Sequence, residues 1–306
     1  MANKRLWKDK LVVLKAEASY GVDATPGAGD AVRCAEVGLT PMDGDSLERP
    51  FVSGELGHSE QFLVNTHVSL TLKVELAGSG AAATPPKWAG IIAACGRLAN
   101  VDNTPGSEHV DFELTDQPEA SVTVYFYMDK VLHQVTGTRG TYKLTSNAGE
   151  LPYLEFELKG LFTKPQDDNQ VAGNFEGWTT PLKVGSAFTS FTLAGVPLTL
   201  LQYSYDVANE YGYSDLVNGE EVEITDRAPT LTLLVRATDL ATFDPFDLAE
   251  NHSRIASELV HGVAGNQIEH RCPELQLERP TYQESDGKTC YQLTLRVMAK
   301  DTLTTR

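Results

Sequence analysis

An alternation of apolar and polar residues occurs twice in this chain, and the doubling restricts the fold more than any other feature. Val68-Ser69-Leu70-Thr71-Leu72-Lys73-Val74-Glu75-Leu76 sets an apolar side chain at every second position. Leu231-Thr232-Leu233-Leu234-Val235-Arg236-Ala237 comes close to repeating it. A period of two is the pattern of a strand with one face buried. Upstream, Val37-Gly38-Leu39-Thr40 is matched by Leu198-Thr199-Leu200, and the offset of 161 is common to Leu70/Leu231 and Leu39/Leu200. Tyr153-Leu154-Glu155-Phe156-Glu157-Leu158 and Cys290-Tyr291-Gln292-Leu293-Thr294-Leu295 form a further pair. Its offset is 137 (Leu154 to Tyr291), so connections in the second copy are shorter. Self-similarity on this scale predicts two copies of one β-domain, at 1–162 and 187–306. The stretch between them, 163–186, is rich in Pro, Gly, Asp, Asn and Gln and is the expected linker, with Phe175 and Trp178 docking part of it.

Other strands are expected at 10–16, 31–39, 62–76, 121–128, 140–145 and 151–161, then at 255–260, 267–271, 274–277 and 290–299. Asp286-Gly287 marks a hairpin before the last of these. The loop at 21–30 carries the Gly, Pro and Asp of tight turns. Residues 40–60 form a polar excursion longer than a hairpin requires. It reads as a projecting arm, with disorder as the competing reading. One helix is expected behind Thr84, Pro85 and Pro86, with Trp88, Ile91, Ile92, Cys95 and Leu98 on one stripe. A shorter one follows Asp244-Pro245 through about Arg254.

Composition excludes several classes. The net charge of −17 makes a surface that repels phosphates, which argues against tight nucleic-acid binding. No apolar run reaches the ~20 residues of a membrane span. The basic start, residues 1–8, precedes no apolar signal core, so folding in the cytoplasm of the producing cell is expected. Cys34, Cys95, Cys272 and Cys290 are widely spaced with no C-x-x-C pair, and buried thiols are expected rather than a disulfide framework.

Nothing in the chain calls for catalysis, a cofactor or a metal. Gly27-Ala28-Gly29 and Gly78-Ser79-Gly80 complete neither a dinucleotide fingerprint nor a P-loop. Met42-Asp43-Gly44-Asp45 resembles a scrap of calcium loop without its alternating oxygens or closing Glu. The pairs His58/His67 and His261/His270 lack the spacing of helical zinc ligands. Carboxylate pairs such as Glu220-Glu221 and Asp167-Asp168 are weak grounds for a glycosidase in so acidic a chain.

Several segments, taken with the doubled strands and the arm, resemble the major tail tube proteins of long-tailed (siphophage-type) bacteriophages. They are Glu17-Ala18-Ser19-Tyr20-Gly21-Val22-Asp23-Ala24-Thr25-Pro26, Leu39-Thr40-Pro41-Met42-Asp43-Gly44-Asp45 and Val64-Asn65-Thr66-His67-Val68-Ser69-Leu70. Val74-Glu75-Leu76-Ala77-Gly78-Ser79-Gly80, Pro86-Lys87-Trp88, Ala94-Cys95-Gly96, Gly265-Asn266-Gln267-Ile268-Glu269 and Tyr291-Gln292-Leu293 complete the likeness. It implies a mainly β chain with two tandem tail-tube-like β-sandwich or barrel domains, each with a flanking α-helix. It also implies a virion protein, assembled in the host cytoplasm, that forms stacked rings. Three copies would make a homotrimeric ring of pseudo-six-fold order, a homohexamer being the alternative. Other tail proteins would be partners, and DNA would pass through the lumen without specific binding. The arm would reach the neighbouring ring, with Arg49, Pro50, Phe51 and Phe62 as anchors and Glu48, Glu55 and Glu60 as rim charges. The competing function is a β-sandwich adhesin or carbohydrate-binding module, for which Tyr203, Tyr205, Tyr211 and Tyr213 are the candidate aromatics. An acidic-site hydrolase is a third reading.

Overall fold

The strands form because alternating apolar side chains can all face one interior, and the computed structural model, which describes residues 6–51 and 57–306, is mainly β. In chain order come β1 (Lys10–Ala16), β2 (Cys34–Arg49), β3 (Glu60–Glu75), α1 (Ala89–Ala93), β4 (Arg97–Asp102), β5 (His109–Leu114) and β6 (Val122–Met128). Then follow β7 (Val131–Thr145), β8 (Tyr153–Leu161), β9 (Gln166–Asp167), β10 (Thr189–Leu193), β11 (Val196–Pro197), β12 (Leu200–Asp206), β13 (Asn209–Leu216) and β14 (Gly219–Arg227). The remainder are β15 (Thr230–Arg236), α2 (Pro245–Glu250), β16 (Arg254–Val263), β17 (Asn266–Leu277), β18 (Thr281–Ser285), β19 (Lys288–Val297) and β20 (Thr302–Thr305).

Pairing orders these strands the same way in both halves. The first half runs β1-β6-β7-β8-β3-β2. The second runs β10-β16-β17-β19-β15-β12. The early part of β7 pairs with β6 and its later part with β8. Strand β17 divides in the same manner between β16 and β19. Each therefore exchanges one neighbour for another along its length. The end of β7 also lies antiparallel to β12, which joins the halves into one row, β2-β3-β8-β7-β12-β15-β19-β18. Among the described residues this row is open at both ends, with β2 bonded only to β3 and β18 only to β19.

The alternation sets the register. Leu70, Leu72 and Val74 of β3 and Leu154, Phe156 and Leu158 of β8 are buried and face one another pairwise. Leu231, Leu233 and Val235 meet Leu295, Leu293 and Tyr291 in the same way. These side chains belong to one apolar cluster that runs unbroken from Val12 to Leu303. One equivalence expected from sequence is corrected. Leu39 faces Leu70, but the residue facing Leu231 is Tyr205, not Leu200. The matching offset upstream is thus 166 (Leu39 to Tyr205), because the facing residues Tyr205 and Leu231 are 26 positions apart where Leu39 and Leu70 are 31 apart.

Both helices are shorter than their patterns predict. Ile91, Ile92 and Cys95 are buried as the stripe requires, but Gly96 at φ +83° ends the turn and Leu98 falls in β4, half-exposed. Thr84 plays no cap; Trp88 occupies that place and its indole donates to the Ala77 carbonyl at 2.8 Å. Asp244 does cap α2, its carboxylate accepting from the Phe246 and Asp247 amides. The helix stops at Glu250, and Arg254 opens β16. Asp286-Gly287, at φ +50° and +70°, makes the expected tight turn between β18 and β19. The 163–186 stretch is docked. Trp178 is partly buried and donates to the Ala31 carbonyl at 3.0 Å, and the Val184 amide bonds to Glu150. Phe175 is left exposed.

At Gly140 strands β7 and β8 approach too closely for any side chain. A Cβ there would lie 2.0 Å from the Glu157 carbonyl oxygen and 2.8 Å from Leu158 Cα, both backbone atoms. Gly140→Ala should therefore lower stability by about 1–3 kcal/mol, the usual range for overpacking. Urea midpoints would read this against Gly29→Ala, whose Cβ meets nothing within 4 Å.

Candidate assembly interface

The polar excursion is an ordered ribbon in its described part. Strands β2 and β3 stay paired beyond the body, with Asp45 opposite Val64, Leu47 opposite Phe62, Glu48 opposite Gln61 and Arg49 opposite Glu60. Bulges between Thr40 and Asp45 bend it where it leaves the core. Gly44 serves that bend: at φ +144° it brings its backbone so near the Val64 and Asn65 carbonyls that a Cβ would sit 2.9 and 2.7 Å from them. Asp43 fastens the base by accepting from the Ser69 hydroxyl at 2.6 Å, and that bond holds its carboxyl below the usual range. Asp45 accepts from the Asn65 side chain at 3.0 Å. The two carboxylates that resembled a calcium loop are engaged in the ribbon.

Along the ribbon the apolar residues lie open to solvent. Leu47, Phe51, Phe62 and Leu63 are all exposed, and Arg49 meets Glu60 at 3.3 Å in an ion pair exposed on both sides. Such a pair contributes little by itself. The expected anchors Arg49, Phe51 and Phe62 thus share one projection with Glu48, Pro50 and Glu60. Glu55 lies outside the described residues.

A second projection was missed in the sequence. Strands β13 and β14 form a hairpin between β12 and β15, the place that the arm takes between β2 and β3. It lies over the first half. The Tyr20 hydroxyl accepts from the Val222 amide at 2.6 Å, and Arg139 donates to the Val222 carbonyl at 2.8 Å. Tyr213 stacks on His67 with centroids 5.0 Å apart, and the Asn209 amide group donates to the carbonyls of Cys95 and Gly140. The tip, Leu216 and Val217, stands in solvent, Val217 at 94% exposure. The turn is Val217-Asn218, with Asn218 at φ +70°, and this Asn before Gly219 is the one local signal of the hairpin.

Beneath it a buried ionic cluster ties the halves. Arg97 of β4 donates to Asp301, to Tyr142, to Tyr205 at 3.1 Å and to the Phe112 carbonyl at 2.8 Å. Tyr205 donates to the other Asp301 oxygen at 2.8 Å. His270 donates to Asp301 from Nε2 at 2.7 Å and accepts from the Tyr203 hydroxyl at Nδ1, 2.6 Å. Burial pushes the Asp301 carboxyl up, but Arg97, His270 and Tyr205 outweigh it and hold it well below the usual carboxylate range. Burial also holds His270 below its ordinary value, against the pull of Asp301.

This placement removes the sugar-platform reading of the tyrosines. Tyr203 and Tyr205 are fully buried in the cluster, while Tyr211 lies under Lys159 and Tyr213 is stacked on His67. His261, paired with His270 in sequence, bonds to Thr189 and the Leu182 carbonyl. Cys95, Cys272 and Cys290 are buried thiols, and Cys34 is half-buried. No helix among the described residues is long and apolar enough to cross a membrane.

No curated protein matches the chain. A family model described as phage tail tube protein matches residues 7–296, nearly the whole length. With its β architecture, open sheet row and projecting ribbon, the chain belongs to the phage tail tube protein family, structural components of the virion tail.

Proposed function

We propose that this chain is a tube subunit carrying two copies of one tube domain, at 1–162 and 187–306, each a sandwich with a flanking helix (α1 or α2), joined by the docked linker 163–186. The observation that carries this reading is the identical strand order of the two halves, combined with a row of eight strands left open at both ends. Open edges are normally covered or paired, because they invite aggregation. Closing three such rows into one barrel covers both ends of each row and gives a ring of pseudo-six-fold order. Stacking of rings is a heterologous contact, which propagates as a filament. The arm reaches the adjacent ring, with Arg49, Pro50, Phe51 and Phe62 as anchors and Glu48, Glu55 and Glu60 at the rim. The negative surface lets DNA move through the lumen without adhering.

Electron microscopy of the purified protein should show stacked rings with a central channel. The mass of one ring should equal three copies of the 33.3 kDa chain rather than six. A protein that stays monomeric at high concentration, in a particle without a tube, would overturn the reading.

A further inference from the structure

The chain already contains one seam of the kind a ring needs. At the junction of the halves, Thr145 lies opposite Ser204, Leu144 opposite Tyr205 and Lys143 opposite Asp206. The same two kinds of edge stand free at the ends of the row.

Strand β2 holds in the first half the place of β12 in the second. Each carries a bulge at the same point, between Cys34 and Glu36 and between Leu200 and Gln202. Cys34 faces Val74 as Leu200 faces Val235, and Leu39 faces Leu70 as Tyr205 faces Leu231. Gly38, Leu39 and Thr40 therefore correspond to Ser204, Tyr205 and Asp206. Strand β18 likewise holds the place of the end of β7. Thr145, Leu144 and Lys143 face Tyr153, Leu154 and Glu155, while Gln283, Tyr282 and Thr281 face Cys290, Tyr291 and Gln292. Leu154 and Tyr291 are matched in turn, since they face Val74 and Val235.

We infer that β18 of one copy pairs antiparallel with β2 of the next, with Tyr282 opposite Leu39, Thr281 opposite Thr40 and Gln283 opposite Gly38. The inference rests on the tube reading above and fixes its register. Burial supports it independently. At the internal seam Leu144 and Tyr205 are 1% and 0% exposed. At the free edge Tyr282 is 63% exposed and stands against the rings of Phe246 and Tyr291, 5.7 and 5.5 Å away. Leu39 is half-buried at the other edge. The free edges are thus uncovered at the core-facing positions that are closed where the halves meet. The seams differ in one respect: Lys143 and Asp206 form a 2.9 Å ion pair, whereas Thr281 and Thr40 are both neutral.

Cysteine pairing tests the register. Directly opposite residues have Cβ atoms about 4.5–5.5 Å apart, near disulfide reach. In a Cys34→Ser background, Thr40→Cys with Thr281→Cys should convert most of the monomer band into covalent rings when tubes are oxidised. Glu36→Cys with Thr281→Cys, four residues out of register and at an exposed position, should leave most of it as monomer. A reversal of those yields overturns the register. Amide exchange in the unmodified protein serves where a variant misfolds: 38–40 and 281–283 should gain protection on assembly. Tubes that form while those amides exchange as in the monomer overturn this pairing and leave the tube reading intact. Failure of the unmodified protein to form rings overturns both.

Discussion

Replacing Asp301 with alanine should destabilise the protein by about 3–5 kcal/mol, the usual cost of stripping one partner from a buried ion pair. Arg97 is fully buried and would keep its charge with no counter-ion. His270 and Tyr205 would each lose an acceptor as well. The loss should appear as a large fall in urea midpoint, and as a monomer that no longer assembles at growth temperature. Changing both charges together, with Arg97→Met and Asp301→Leu, should recover much of it, since the penalty lies in the orphaned charge. If Asp301→Ala costs under 1 kcal/mol, the cluster is not what joins the halves. The same cluster fixes a pH dependence. Asp301 titrates lower folded than unfolded, so its stabilisation is full above the unfolded value, about 3.9, and is lost as the pH falls further. His270 also titrates low when folded, so the unfolded chain takes up its proton first, from about pH 6.5 downward. Both effects have one sign: stability should decline on acidification from pH 7, and Asp301→Ala should flatten the lower part of that decline.

Deleting residues 45–60 should leave the subunit folded and abolish tube formation. Beyond Gly44 the described pairs of the ribbon are between its own two sides, so no strand of the body loses a partner. Residues 61–64 would then form the turn between Gly44 and Asn65, a length ordinary for hairpins. Circular dichroism and the urea midpoint should stay near those of the parent, while microscopy should show single rings or monomers and no tubes. Full-length tubes from this variant would remove the arm from the contact between rings.

The parts of the fold legible in sequence are those with one buried face. The strands β3, β8, β15 and β19 could be read because Leu70, Leu72, Leu231 and Leu233 alternate with polar residues against the core. The hairpin β13–β14 could not, because Glu220, Glu221 and Glu223 interrupt any apolar stripe and Val222 is its one fully buried apolar anchor. Helix α1 was overread: its stripe continues through Leu98 although Gly96 ends the turn. The register error at Leu200 arose from matching similar residues without knowing which neighbour each would face. The arm could be placed by its length and polarity, but its ribbon form depends on cross-strand pairs that composition does not encode. The cluster around Arg97 gave no signal, since its partners are spread from Phe112 to Asp301 and meet only in three dimensions.

The long separation of Arg97 from its counter-ion bears on biosynthesis. Asp301 lies 204 residues downstream, so a nascent chain emerging from the ribosome holds an unneutralised guanidinium in its first half for most of translation. Burying that charge without a partner is costly, so the region around Arg97 should settle only once Asp301 has been added. Stalled chains ending before residue 300 should accordingly remain open to protease around residues 97–114, and a resistant fragment there would show that no such delay exists.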